Sequence, residues 1–233
     1  MKYFKLFENY HKYNYDYYDS NLIIQFKIPV KDWVEKLLKK LNIKTDYHMP
    51  VGKGEYGFAI DLGDKILKVT NEKSEAYYGK KILNINSPNI VKMFDVKIVK
   101  SDYQKQGELY IIVMEKLNLN IDNNVKILIN YLHKRNDIVD KLDKYNIVSD
   151  EEVYNFFKDK LKMLDKNDIL YIFKKWMNVY NECRKYNIPL HDFHSENIGL
   201  RFSNNDELVI FDISGLNEAK KYNIDNIETI FLN

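Results

Sequence analysis

"VGKGEYGFAIDLGDKILKV", residues 51–69, holds Gly52, Gly54 and Gly57 in the spacing G-x-G-x-x-G, followed by two apolar runs around Gly63-Asp64. The glycine spacing alone is shared with dinucleotide-binding folds, where it joins a strand to a helix and seats phosphate on the helix N-terminus. Here the glycines run into "YGFAIDL", then the two-residue Gly63-Asp64 connection that closes a tight hairpin, then "KILKV". Strand, turn and strand predict a nucleotide-covering hairpin. Tyr56 stands at its tip, and the glycines let backbone N–H groups approach phosphates.

Such a hairpin has a definite register. With Gly63-Asp64 as the loop, Leu62 opposes Lys65, Asp61 opposes Ile66 and Ala59 opposes Lys68. Side chains alternate across a strand, so Ala59, Ile66 and Lys68 share a face. An ammonium among apolar neighbours beneath a glycine loop suits a lysine reaching the α- and β-phosphates, the alternative being a lysine that ends in solvent. Its carboxylate partner is expected to be Glu75, at the start of the helical stretch "SEAYYGKKIL" (74–83), with Glu72 as second choice.

Beyond the hairpin, "NIVKMFDVKIV" and "ELYIIVMEKL" read as further strands. Upstream, residues 1–20 read as a surface extension and "NLIIQFKIPV" (21–30) as a strand. "KDWVEKLLKKL" (31–41) reads as a helix with Trp33, Leu37, Leu38 and Leu41 on one face and lysines on the other. After residue 118 the chain turns helical through "NNVKILINYLHK", "DEEVYNFFKDKLKML" and "KNDILYIFKKWMNVYNECRKY", before a short strand pair, "NIGLRF" and "ELVIFDI", and a brief tail. Strands followed by helices predict an α+β fold of two lobes with a cleft between them. The expected division is an extension at 1–45, a small β lobe at 46–117 and a helical lobe at 118–233.

Bulk properties narrow the classes further. The 233 residues suffice for one sizeable domain or two small lobes. A net charge of +2 with 30% charged residues spreads both signs over the surface, so no dedicated nucleic-acid binder is expected. No apolar run approaches the roughly 18 residues of a membrane span. The lone Cys183 cannot form an internal disulfide, which fits a reducing, cytoplasmic setting.

Residues 190–200, "LHDFHSENIGL", crowd His191, Asp192, His194, Glu196 and Asn197 together. A His-Asp doublet also marks metal-dependent phosphohydrolases, with His133 or His48 and Asp212 as the remaining ligands. Pro189 directly before the doublet favours a loop over the helix that scheme needs, and the strand-rich first half has no role in it. His191 reads as a brace that hydrogen-bonds the backbone of the loop.

In order, these residues resemble the protein kinase-like fold. They run from the loop "GKGEYG" through the lysine of "KILK", the glutamate of "SEAYY", "SPNIVKMFDV", a hinge-like "VMEKL" and "HDFHSEN" to "IFDIS" in the place of Asp-Phe-Gly, over roughly residues 48–216. The resemblance implies Asp192 as the catalytic-loop aspartate, with Asn197 and Asp212 as Mg²⁺ ligands. Lys68 becomes the phosphate-orienting lysine and Glu75 its partner. It further implies Met114 at the back of the adenine pocket, adenine on the backbone of Glu115 through Leu117, and Gly52, Gly54, Tyr56, Gly57 and Ala59 around ATP. His194 stands where protein kinases usually keep a lysine.

The departures are equally specific. Leu190 precedes His191-Asp192 where His-Arg-Asp is usual, and Ile213-Ser214 replaces Phe-Gly. No Ala-Pro-Glu follows Asp212, so a regulated activation segment and a peptide-docking platform are not expected. The outline is similar to compact effector-type or phage-encoded kinases. The expected activity is transfer of the γ-phosphate of ATP, with Mg²⁺, to a hydroxyl of protein Ser/Thr or of a small molecule, in the host cytoplasm if the chain is phage-encoded or a delivered effector. A pseudokinase that holds ATP as a scaffold is the third reading.

Overall fold

The run "LYIIVME" lacks the alternation of a half-exposed strand because helices cover both faces of the sheet it belongs to. In the computed structural model, the residues described are 30–44, 49–53, 57–101, 108–134, 149–190, 193–214, 222 and 224–232. The chain forms α1 (Val30–Lys40), β1 (Met49–Lys53), β2 (Gly57–Asp61), β3 (Lys65–Thr70), α2 (Lys73–Ile82), β4 (Met93–Ser101) and β5 (Leu109–Glu115). It continues with α3 (Asn123–His133), α4 (Asp150–Phe157), α5 (Lys166–Lys185), a 3₁₀ turn (Ser195–Asn197), β6 (Ile198–Arg201), β7 (Asn204–Ile210) and β8 (Glu228–Leu232). The fold class is α+β, and the chain divides into two compact units. The first takes Met1–Ile85, Lys92–Lys116 and Asn217–Asn233; the second takes Asn86–Val91 and Leu117–Leu216.

In the first unit six strands lie in the order β1-β2-β3-β5-β4-β8, antiparallel except for the parallel β4–β8 pair. One face carries Phe58, Ile60, Leu67, Val69, Val99, Leu109, Ile111 and Val113, and α1 buries it with Trp33, Val34, Leu37 and Leu38. Lys36, Lys39 and Lys40 stay exposed, so α1 is a working layer of the core with a lysine face to solvent. The opposite face carries α2, whose Gly79 lies against Val96 and Ile112; a Cβ there would come within 3.2 Å of the Val96 methyl. Residues 21–29, read as a strand, lie outside the described residues.

The hairpin register is the expected one: Ala59 pairs with Lys68 and Asp61 with Ile66, and the Leu62 N–H donates to the Lys65 carbonyl at 2.9 Å. Gly63 turns the chain at φ +97°, and its N–H donates to Asp61 Oδ1 at 2.8 Å. An L side chain is strained at that φ while open space surrounds the residue. Gly63→Ala should therefore destabilise by about 1 kcal/mol through backbone strain alone. A shift of the urea midpoint at unchanged slope would check it.

The expected "brief tail" contains a strand. In β8, Ile230 and Leu232 point into the α1-side core while Phe231 between them is exposed, the period-2 pattern of an edge strand. These residues return to the sheet of the first unit although they follow the helices in sequence.

The second unit is built on α5, a 20-residue helix that buries Ile169, Ile172, Phe173, Trp176, Val179, Tyr180 and Cys183. Each described helix start of this unit is capped by a short polar side chain: Asp122 accepts from the Asn124 N–H and Asp165 from the Asp168 N–H. Ser149 and Glu152 form a reciprocal capping box at α4. Burial pushes the Cys183 thiol up to about 12, with nearby Glu182 adding to the effect. The native thiol should resist alkylation at pH 8 and react at the rate of a free cysteine only in denaturant, as a dye-based thiol assay would read.

Candidate functional site

Lys68 lies mid-strand in β3, between Ala59 of β2 and Ile112 of β5. The same face carries Ile66 and Met114, which pair directly. Into that row of apolar neighbours α2 brings a partner of opposite charge: Lys68 Nζ stands 2.8 Å from Glu75 Oε2. The two side chains are only 15% and 8% exposed, so this is a buried pair and not a surface one. Glu72 is engaged elsewhere. It stands before the first turn of α2, accepting the Ser74 hydroxyl at 2.8 Å while its own N–H donates to Thr70 Oγ1.

Gly52 opposes Ala59 beside a register shift in β1, the local irregularity a glycine-rich strand allows. Gly57 is held by the neighbouring strand, since a Cβ would meet the Val69 carbonyl oxygen at 2.0 Å. Gly54 and Tyr56 lie outside the described residues. Met114 is buried between Ile66 and Met93. The Glu115 N–H donates to the Lys92 carbonyl at 2.9 Å, and its Oε1 accepts from the Lys92 N–H at 2.8 Å. That N–H is thus committed to protein. Lys116 is tied to Asp61 by an ion pair of 2.5 Å.

In the second unit Asn197 closes the 3₁₀ turn immediately before β6, and Asp212 follows β7 by two residues. Ile198 pairs with Ile210, and the Phe211 N–H donates to the Asn197 carbonyl at 3.0 Å. The open end of one hairpin therefore carries both residues. An amide oxygen and a carboxylate are hard donors of the kind Mg²⁺ takes, so the donor set fits that ion. Among the described residues no group of three or more His, Cys, Asp or Glu could hold a metal. His191 and Asp192 lie outside the described residues, as does His48.

Their flanks are well fixed. The Phe193 N–H donates to the Leu190 carbonyl at 3.2 Å, and the Phe193 ring stacks on Trp176 of α5 at 5.8 Å and 17°. Trp176 in turn stacks on Phe173 and Tyr180. From α3, Asn130 Oδ1 accepts the Ser195 N–H at 3.0 Å, and His133 lays its ring edge-on to His194 at 5.4 Å. His194 Nδ1 accepts the Glu196 N–H, which leaves Nε2 as the proton-bearing nitrogen of the neutral ring. Sequence reading assigned no role to Asn130, Trp176 or Phe193. Apolar or amide residues at helical spacing carry no mark of what they brace.

"SPNIV" has a structural role within the same unit. Asn89 Nδ2 donates to the Leu208 carbonyl at 2.9 Å, and the Ile210 N–H donates to the Asn89 carbonyl at 3.0 Å. Arg201 donates to the carbonyls of Pro88 and Ile90. Asn118 and Leu200 exchange two hydrogen bonds of 2.8 Å, and Gly199 packs so closely that a Cβ would lie 2.8 Å from Leu117 Cβ.

In chain order the described residues give β1 and the β2–β3 hairpin with Lys68, the α2 helix with Glu75, two further strands β4 and β5, and then a helical unit with the β6–β7 strand pair. No family model matches the sequence. No curated protein matches it either. Among solved structures the chain is similar to the MAP kinase LmaMPK10 from Leishmania major, at 15% identity and a TM-score of 0.41 over 78% of this chain. The match spans 49% of that kinase, about half its length. Among the described residues no helix is long and apolar enough to cross a membrane.

Proposed function

We propose that the chain is an ATP- and Mg²⁺-dependent phosphotransferase that moves the γ-phosphate to a hydroxyl, with protein Ser/Thr as first acceptor class and a small molecule as the alternative. The observation that carries the reading is the buried Lys68–Glu75 pair on the strand behind the glycine hairpin. A lysine held by a carboxylate in an apolar row keeps its charge and a fixed direction, which is what orienting the α- and β-phosphates requires. Asn197 and Asp212 would hold Mg²⁺ through an amide and a carboxylate oxygen. The bound ion would supply charge neutralisation for the phosphates. Asp192 takes the proton of the acceptor hydroxyl, and His194, with its proton on Nε2, is a donor for a phosphate oxygen. The backbone at Glu115 and Leu117 and the side chain of Met114 would meet adenine.

Purified protein is incubated with labelled ATP and Mg²⁺, alone and with a host-cell lysate, beside Asp192→Ala. Label on protein or on a small molecule that disappears in the variant supports the reading, and its location names the acceptor class. Ile213-Ser214 in place of Phe-Gly favours a second reading, a nucleotide-holding scaffold. ATP binding with no transfer to any acceptor would select that reading and sink the first.

A further inference from the structure

The C-terminal strand reaches both faces of the sheet that carries Lys68. On one face Ile230 and Leu232 of β8 enter the core with Trp33, Val34, Leu37 and Leu38 of α1. Along the strand, β8 covers the edge of β4 in five registered pairs from Lys97↔Glu228 to Ser101↔Leu232, and Lys97 forms an ion pair with Glu228. On the other face, just upstream of β8, the Tyr222 ring lies 5.1 Å from Tyr77 and 6.1 Å from Tyr78, both on α2. Ile224 and Ile227 between Tyr222 and β8 are buried, so the ring is attached to an anchored segment.

The helix it meets needs such support. With ten residues, α2 is too short to hold itself as a helix in water. No side chain caps its start. Its two tyrosines, Tyr77 and Tyr78, stand one turn or less from Glu75, so whatever fixes them fixes the carboxylate. We propose that Tyr222, fastened by β8, is a positioning residue: it holds α2 against the sheet and through it keeps Glu75 on Lys68. The consequence for phosphate transfer rests on the function proposed above; the consequence for α2 does not.

The test uses the full chain with Tyr222→Ala and Tyr222→Phe. Two readouts need no enzymatic activity: amide hydrogen exchange over Lys73–Ile82, and the rate at which a small activated ester acylates Lys68, read by peptide mapping. In Tyr222→Ala both should rise about tenfold, while Tyr222→Phe keeps the ring and the wild-type rates. Transfer should show kcat lower by roughly tenfold with less change in KM for ATP, and no further loss when Tyr222→Ala is added to Glu75→Gln. Unchanged exchange or unchanged Lys68 acylation in Tyr222→Ala overturns the proposal, as does an equal fractional loss of kcat in the Glu75→Gln background. If wild type transfers no phosphate at all, the phosphotransferase reading fails alone, because exchange and acylation still decide the role of Tyr222.

Discussion

Lys68→Met should lower phosphate transfer by about 100-fold or more, and it should also weaken the fold. On the function proposed above, the first effect follows from removing a fixed positive charge that would face developing negative charge, a loss of roughly 3 kcal/mol in barrier terms. The second follows from burial. Glu75 is only 8% exposed, and removal of the ammonium 2.8 Å away takes a counter-charge from a buried carboxylate. Removing one partner of a buried pair costs about 3–5 kcal/mol, far above the median for exposed pairs. The two effects separate experimentally. Glu75→Gln keeps the volume and leaves Lys68 its charge, so it should reduce transfer less than Lys68→Met while still lowering the urea midpoint. Activities compared well below both midpoints, with ATP binding measured alongside, check the order. Equal transfer by Lys68→Met and wild type would show that the lysine does not face a phosphate.

The hairpin was legible in the sequence for a physical reason. A two-residue loop fixes register, and a one-residue slip would have put Lys68 into the α1-side core in the place of Leu67 and Val69. The choice of Glu75 over Glu72 was harder, because at the sequence level both sit near a helix start. Glu72 is drawn to Ser74 at the helix boundary, while Glu75, in the first turn, reaches the strand. The tail was misread for a different reason. "ETIFL" is five residues with two inward positions, and its parallel partner β4 is more than a hundred residues away in sequence, so nothing local marks the pairing. The same holds for Gly57. Its place in the glycine spacing suggested room for phosphate, whereas a carbonyl oxygen 2.0 Å from any Cβ shows that β3 also demands a glycine there. Short-range chemistry could be read from residue types; long-range packing partners could not.

Trp176→Ala should be the most damaging substitution outside the residues assigned to chemistry. The ring is buried and stacked between Phe173, Tyr180 and Phe193, so truncation leaves a large cavity in α5's core face and costs about 3–5 kcal/mol. Stability is only part of the loss. Phe193 follows Asp192 directly in sequence and depends on this stack for its place, so on the proposed function a loosened Phe193 would disturb the acceptor side of the reaction. A displacement of about 1 Å can cost roughly 100-fold in rate. Phe173→Ala supplies the comparison: it removes a buried ring of the same stack, packed on Trp176 and Phe157, with Trp176 still standing between it and Phe193. Both variants should show similar falls in urea midpoint, whereas at a temperature where each is fully folded Trp176→Ala should lose transfer by about 100-fold and Phe173→Ala by far less. Equal transfer losses in the two variants would mean that the stack acts on stability alone and that Asn130, through the Ser195 N–H, is what holds the loop.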